Sequence, residues 1–120
     1  MTTVTFHMEE ERICSFEIHG HSGYAEEGED IVCAAISSAV NLVAATVNDV
    51  LGLAASVKAE SDGDLSFHLP GGLSETDEAT CQNMLAGMMV YFSDLREHYP
   101  DFVDVVVDDP DDLDEDEDAF

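Results

Sequence analysis

The residues of this chain whose types and spacing suit chemistry are His21 and Cys33. The pattern predicts that His21 ends a strand and that Cys33 sits in the first turn of a helix, with a glycine-containing loop between them. A thiol at a helix start meets free backbone N–H groups and the positive end of the helix dipole, and both favour thiolate. A nearby imidazole can take the thiol proton and later hand it to a leaving group. Together these are the parts of a cysteine nucleophile and its base. The residues alone fit a structural thiol at Cys33 equally well.

The elements that must position this pair follow from periodicity. Thr3 to Met8 alternates, with Val4, Phe6 and Met8 on one face, and reads as a strand. Glu9-Glu10-Glu11 is a charged turn. Arg12 to His21 is a second strand, with Cys14, Phe16 and Ile18 on one face and Ser15, Glu17, His19 and His21 on the other. Asp30 is suited to N-cap a long helix that ends near Gly52. Ala55 to Ser61 and Leu65 to Leu69 read as a hairpin turning at Asp62-Gly63. Ser74-Glu75-Thr76-Asp77 opens a second helix. Its apolar stripe is Cys81, Met84, Leu85, Met88, Phe92, Leu95 and Tyr99, and Pro100 stops it. Phe102 to Val107 is a last strand. The ββαββαβ order predicts an α+β two-layer sandwich, with two helices on one mixed or antiparallel sheet.

The first helix separates the three thiols. Its polar residues Ser37, Ser38, Asn41, Asn48 and Asp49 form one narrow stripe, opposite Ile36, Val40, Val43, Val47 and Val50. Cys33 precedes Ser37 by four and Asn41 by eight residues, so it heads the polar stripe. Cys14 and Cys81 fall at core positions, where cysteine acts as a small hydrophobe.

The motifs Gly20-His21-Ser22-Gly23-Tyr24-Ala25 and Asp30-Ile31-Val32-Cys33-Ala34-Ala35 match a known pair. The chain resembles the ribosomal-processing cysteine proteases, the Prp family, most closely across Ile18 to Asn41 and in element order to about Val107. The resemblance implies Cys33 as nucleophile and His21 as base, with Gly20, Asp30 and Ser37 at supporting positions. It decides between the readings of Cys33 in favour of catalysis. It also implies removal of a short N-terminal extension from a large-subunit ribosomal protein, and a homodimer. No cofactor is expected. Asp30 can cap the helix or orient His21 as a third member. The segment from Ser22 to Glu29, with Gly23 and Gly28 at its ends and Tyr24 between them, is expected to act as a substrate loop that closes on peptide.

Composition sets the surroundings. One domain is expected over residues 1–107, followed by an acidic tail over 108–120 that holds nine of the 28 acidic residues and is expected to be disordered. The net charge is −25, and Arg12, Lys58 and Arg96 are the only Lys or Arg. So few cations argue against direct nucleic acid binding, and the charge favours a basic protein or peptide partner. The absence of an export signal, of a long apolar run and of an even cysteine count point to the cytoplasm, no membrane and reduced thiols. Two other readings compete with the protease. One is a non-catalytic acidic module that holds a basic ribosomal protein. The other is a metal site built from His19, His21 and Cys33, although the expected answer there is no metal.

Overall fold

The structure, a computed structural model, describes residues 1–20, 27–60 and 64–110, and for residues 27–30 the backbone alone. The elements are β1 (Thr2–Glu9), β2 (Arg12–His19), α1 (Glu27–Ala45) with a π-helical turn at Thr46–Val50, β3 (Ser56–Ala59), β4 (Leu65–His68), α2 (Glu75–His98) and β5 (Val103–Asp108). This is the expected ββαββαβ order. The sheet is mixed, in the order β3-β4-β2-β1-β5, and only the β1–β5 pair is parallel.

The inner face of the sheet is aromatic. Phe6, Phe16 and Phe67 lie side by side across β1, β2 and β4, with ring centroids 5.9 and 4.9 Å apart. Phe92 of α2 closes on Phe6 at 6.3 Å. Val32, Ile36, Val40, Val43 and Val47 form the buried ridge of α1, and Cys81, Leu85, Met88, Phe92 and Leu95 that of α2. Ser74 accepts the Asp77 N–H as N-cap at 3.1 Å, as the sequence predicts.

β1 and β2 are joined by the two-residue turn Glu10-Glu11. Both residues have positive φ, 51° and 65°, the sign that a type I′ hairpin requires. One correction follows in β2. The register slips between His7 and Met8, leaving Cys14 as the extra residue of a bulge. Ile13 takes the inner position instead, and Cys14 is only half-buried. α2 secures this irregular start. The Gln82 side chain accepts from Ile13 N–H at 2.7 Å and donates to its carbonyl at 2.9 Å. Arg12 bonds Glu78 at 2.6 Å and the Pro70 carbonyl at 2.7 Å.

α1 departs from expectation in three ways. It already includes Glu27, so Asp30 lies inside the first turn and does not cap it. Gly28 is also helical and does not end a loop. An acidic stretch such as Glu27-Gly28-Glu29-Asp30 suits a helix N-terminus, where the dipole favours negative charge and offsets the roughly 1 kcal/mol propensity cost of glycine. Third, Ile31–Val50 is a 20-residue helical stretch long and apolar enough to span a bilayer by length and composition, contrary to the expected absence of any such run. In this fold one face of it packs on the sheet, while Leu42 and Val50 stay 68% and 76% exposed. The helix ends where Asn48 clamps Ala55, accepting from its N–H at 2.8 Å and donating to its carbonyl at 3.2 Å. Gly52 at φ 71° turns the chain away.

The Asp62-Gly63 turn and residues 111–120 lie outside the described residues. β5 runs through Asp108, and its last carboxylate reaches His7 Nδ1 at 2.9 Å.

Candidate active site

Cys33 opens into a cleft of about 140 Å³ between α1 and one end of the sheet. Ser37 and Asn41 follow it along the same flank of the helix and line the same space. The polar stripe seen in the sequence is therefore one wall of a cleft. Ile36 and Val40 flank it from the helix. Thr2 of β1, Ile18 of β2 and Leu65 of β4 form the opposite wall.

Cys33 is the seventh residue of α1, in its second turn. A residue there has its N–H engaged in the i→i−4 ladder, and the dipole effect fades beyond the first turn. The first-turn activation expected from sequence is thus reduced, and more of the demand for an activated thiol falls on its base. The other two thiols differ from it. Cys81 is fully buried, and burial pushes its thiol up from the ordinary value, with Asp77 and Glu78 adding to the effect. Cys14 sits at the β2 bulge and directs its thiol to the Arg12 carbonyl at 3.4 Å. No disulfide joins any of the three.

Gly20 is the last described residue before His21, and its structural need is visible. Its φ is 86°, and an added Cβ would fall inside contact distance of the Met1 carbonyl oxygen. The chain therefore leaves β2 through a left-handed glycine pressed against the start of β1. His21, Ser22, Gly23 and Tyr24 lie outside the described residues, as does the side chain of Asp30.

His19, one of the two histidines considered for a metal, turns to carboxylates: Asp64 at 3.2 Å and Glu17 at 3.6 Å. Glu17 also accepts from His7 at 3.0 Å, and His7 reaches Asp108. This ladder crosses the outer face of the sheet, away from the cleft. The Glu17 hydrogen bond holds His7 above the ordinary histidine value, Asp64 does the same for His19, and His7 lowers Glu17. Among the described residues no cluster of three His, Cys, Asp or Glu side chains is placed to hold a metal ion.

Asn41 was legible as a site residue from its i+8 spacing to Cys33. Thr2, Ile18 and Leu65 were not, because only the sheet register brings three separated strands to one end of α1.

Comparison with known proteins identifies the family and the fold. The family described as cysteine protease Prp matches residues 1–104. A ribosomal processing cysteine protease Prp of Bacillus subtilis is 32% identical over 93 residues, covering 74% of this chain and 80% of that protein. A crystal structure of a Streptococcus mutans protein superposes with a TM-score of 0.78 at 24% identity, covering 91% of this chain and 95% of that one. The ribosomal processing protease Prp of Staphylococcus aureus, solved with a substrate peptide, superposes with a TM-score of 0.76 at 19% identity, covering 89% and 99%. The family match over most of the chain and the Bacillus relative, together with a thiol set in a cleft at the sheet end, establish that this chain belongs to the Prp family of cysteine proteases.

Proposed function

We propose that this protein removes a short N-terminal extension from a basic large-subunit ribosomal protein, with Cys33 as nucleophile and His21 as its base. The observation that carries the reading is Cys33 opening, beside Ser37 and Asn41, into the cleft that β2 also lines. β2 leads through Gly20 directly into His21, so the strand that carries the base shares a cleft with the nucleophile. The Cys33 thiolate attacks the scissile carbonyl, and His21 protonates the departing amine. Water, deprotonated by His21, then hydrolyses the thioester and frees the enzyme. No cofactor takes part.

The supporting residues have separable roles. Gly20 lets the chain leave β2 toward the base. Ser37, one helical turn beyond Cys33 and lining the same cleft, hydrogen-bonds the thiolate or the peptide. Asp30, no longer needed as a cap, orients His21 and stabilises its imidazolium. Ser22, Gly23 and Tyr24 form the substrate loop. The acidic tail that follows β5 adds negative charge that draws in the basic substrate, in the cytoplasm and without contact to nucleic acid or membrane. The protein works as a homodimer. Support for that comes from an apolar groove of about 610 Å³ between α1 and α2, bordered by Leu42, Met84, Met88 and Tyr91, with Leu42 and Tyr91 exposed.

The test is incubation of purified protein with ribosomal proteins that carry N-terminal extensions, followed by intact-mass measurement. A single truncated product, absent with Cys33→Ala, is expected. Binding without cleavage would favour the acidic binding module instead.

A further inference from the structure

The sheet has two edge strands, β3 and β5, and they are finished differently. Along β5 the Phe102 carbonyl accepts from the Thr2 N–H, so even-numbered residues turn their backbone groups toward β1 and odd-numbered ones turn theirs outward. Most of those outward groups are occupied. The Tyr99 carbonyl takes the Val103 N–H at 3.3 Å, and the Asp104 carboxylate takes the Val105 N–H at 2.9 Å. The Val105 carbonyl accepts from Arg96 at 3.4 Å. Of the outward N–H groups, only that of Val107 is left.

β3 has no such cover. The Glu60 N–H donates to the Asp64 carbonyl at 2.7 Å, which continues the Lys58–Ser66 and Ser56–His68 pairs of the ladder. β4 agrees, because the Leu69 N–H donates to the Cys14 carbonyl and so turns the odd-numbered residues of β4 to β2 and the even-numbered ones to β3. Val57 and Ala59 therefore point both their N–H and C=O groups away from the sheet. Among the described residues nothing bonds these groups, and all four residues of β3 are exposed. Val57 pairs with buried Phe67 and shares its helix-side face, whereas Lys58 pairs with Ser66 on the outer face. The Lys58 side chain thus leaves the hydrogen-bonding edge clear.

Resting on the proposed peptidase reading, we propose that the open edge of β3 is the strand-addition site for the N-terminal segment of the substrate, which binds extended as a sixth strand. Continuity with the cleft argues for it. Ala59 pairs with Leu65, and Leu65 forms a wall of the Cys33 cleft. Strands lie about 5 Å apart and an extended residue advances about 3.3 Å, so a chain leaving the edge beside Ala59 reaches the cleft within about three to four residues. Charge selects the occupant. An open edge invites a second copy of the chain, but two chains of net charge −25 repel each other, whereas a basic chain is attracted. Residues of the bound segment on the helix side meet Val57 and Ala59 and are apolar. Lys58 repels a cation opposite it, so the basic residues of the substrate flank the paired stretch.

The probe is a synthetic peptide that copies the N-terminal extension of a large-subunit ribosomal protein and the basic residues after it. Residue-resolved amide exchange is measured on Cys33→Ala protein, alone and saturated with the peptide, with saturation set by calorimetry. Without peptide, the Val57 and Ala59 amides should exchange fast and the Lys58 amide, bonded to β4, slowly. With peptide, Val57 and Ala59 should slow by about tenfold or more, and Val107 should not change. In the active enzyme, Val57→Pro removes an outward donor and leaves the β4 ladder whole. It should raise KM by about threefold to tenfold with kcat unchanged, whereas Val57→Ala, which keeps the donor, should change KM by less. Bound peptide with Val57 and Ala59 still exchanging fast would overturn the proposal, and cleavage of that peptide by wild type would leave the peptidase reading standing. An unchanged KM in folded Val57→Pro would overturn the proposal equally. Protection of both amides without peptide, rising with protein concentration, would make a second copy the occupant and the proposal wrong. Protection by peptide that wild type does not cleave would keep the docking edge and overturn the peptidase reading. A peptide neither bound nor cleaved would overturn both.

Discussion

Gly20→Ala tests whether the start of β1 and the exit from β2 are built against each other. The residue has φ 86°, where an L side chain is strained, and the atom that an added Cβ meets is backbone, the Met1 carbonyl oxygen. Backbone cannot rotate aside as a side-chain tip can. Left-handed strain contributes about 1 kcal/mol. Forcing the two strands apart adds about 1–3 kcal/mol, the usual range for overpacking. The total of about 2–4 kcal/mol corresponds to a fall in melting temperature of roughly 8–20 °C for a domain of this size. The assay is thermal and urea unfolding with wild type in parallel, with peptide cleavage read at a temperature where both are folded. Activity should fall further than stability alone explains, because residue 20 sets the path of the chain into His21. A Gly20→Ala protein as stable and as active as wild type would refute the reasoning about this contact.

Stability should also depend on pH through the ladder on the outer sheet face. His7 and His19 are raised above their ordinary 6.5, so their contribution is full below that pH and is lost as pH rises through the raised values. Glu17 is lowered from 4.5, so its share is present above 4.5 and is lost as pH falls through the lowered value. These groups are a third to a half exposed. The effect is therefore about 0.5–1 kcal/mol, and His7→Gln should flatten the melting temperature between pH 6 and pH 8 relative to wild type. Cys81→Ala should cost about 1–2 kcal/mol and Cys14→Ala less, in chemical unfolding, with cleavage retained by both. If cleavage is lost early and selectively in either variant, the wrong thiol has been assigned. Catalytic efficiency on a basic peptide should fall as salt rises from low to physiological, with the change in KM rather than kcat. Deleting residues 111–120 should weaken that dependence, whereas a salt-independent rate would remove the steering role of the acidic surface.

Much of the fold was legible because its signals are local. The alternation of Val4 and Phe6, the Ser74 cap and the stripe from Cys81 to Leu95 each needed only neighbours in sequence. The Cys33–Ser37–Asn41 wall was legible for the same reason, since helical spacing alone sets it. The misses have nonlocal or competing causes. The bulge at Cys14 depends on pairing with β1 and on Gln82 from α2, neither of which is near it in sequence. Asp30 carries the right side chain for a cap, but the acidic residues before it extend the helix past it. Val50 continues the apolar period of α1, yet the π-helical turn at Thr46–Val50 shifts the face it presents, and it is exposed. Thr2 gives no local sign that it lines the cleft. Only the strand order, which sets β1 between β2 and β5, brings it to the cleft.

The central claim is that Cys33 is the nucleophile, and stoichiometric alkylation with peptide mapping tests it most directly. Purified protein is treated with iodoacetamide near neutral pH, from below one equivalent up to excess, and residual cleavage is plotted against the fraction of each cysteine labelled. Activity should fall in direct proportion to labelling of Cys33, with Cys81 unlabelled in the folded protein, and Cys33→Ala should show no cleavage from the start. Cleavage that persists with Cys33 fully labelled, or in Cys33→Ala, would contradict the account.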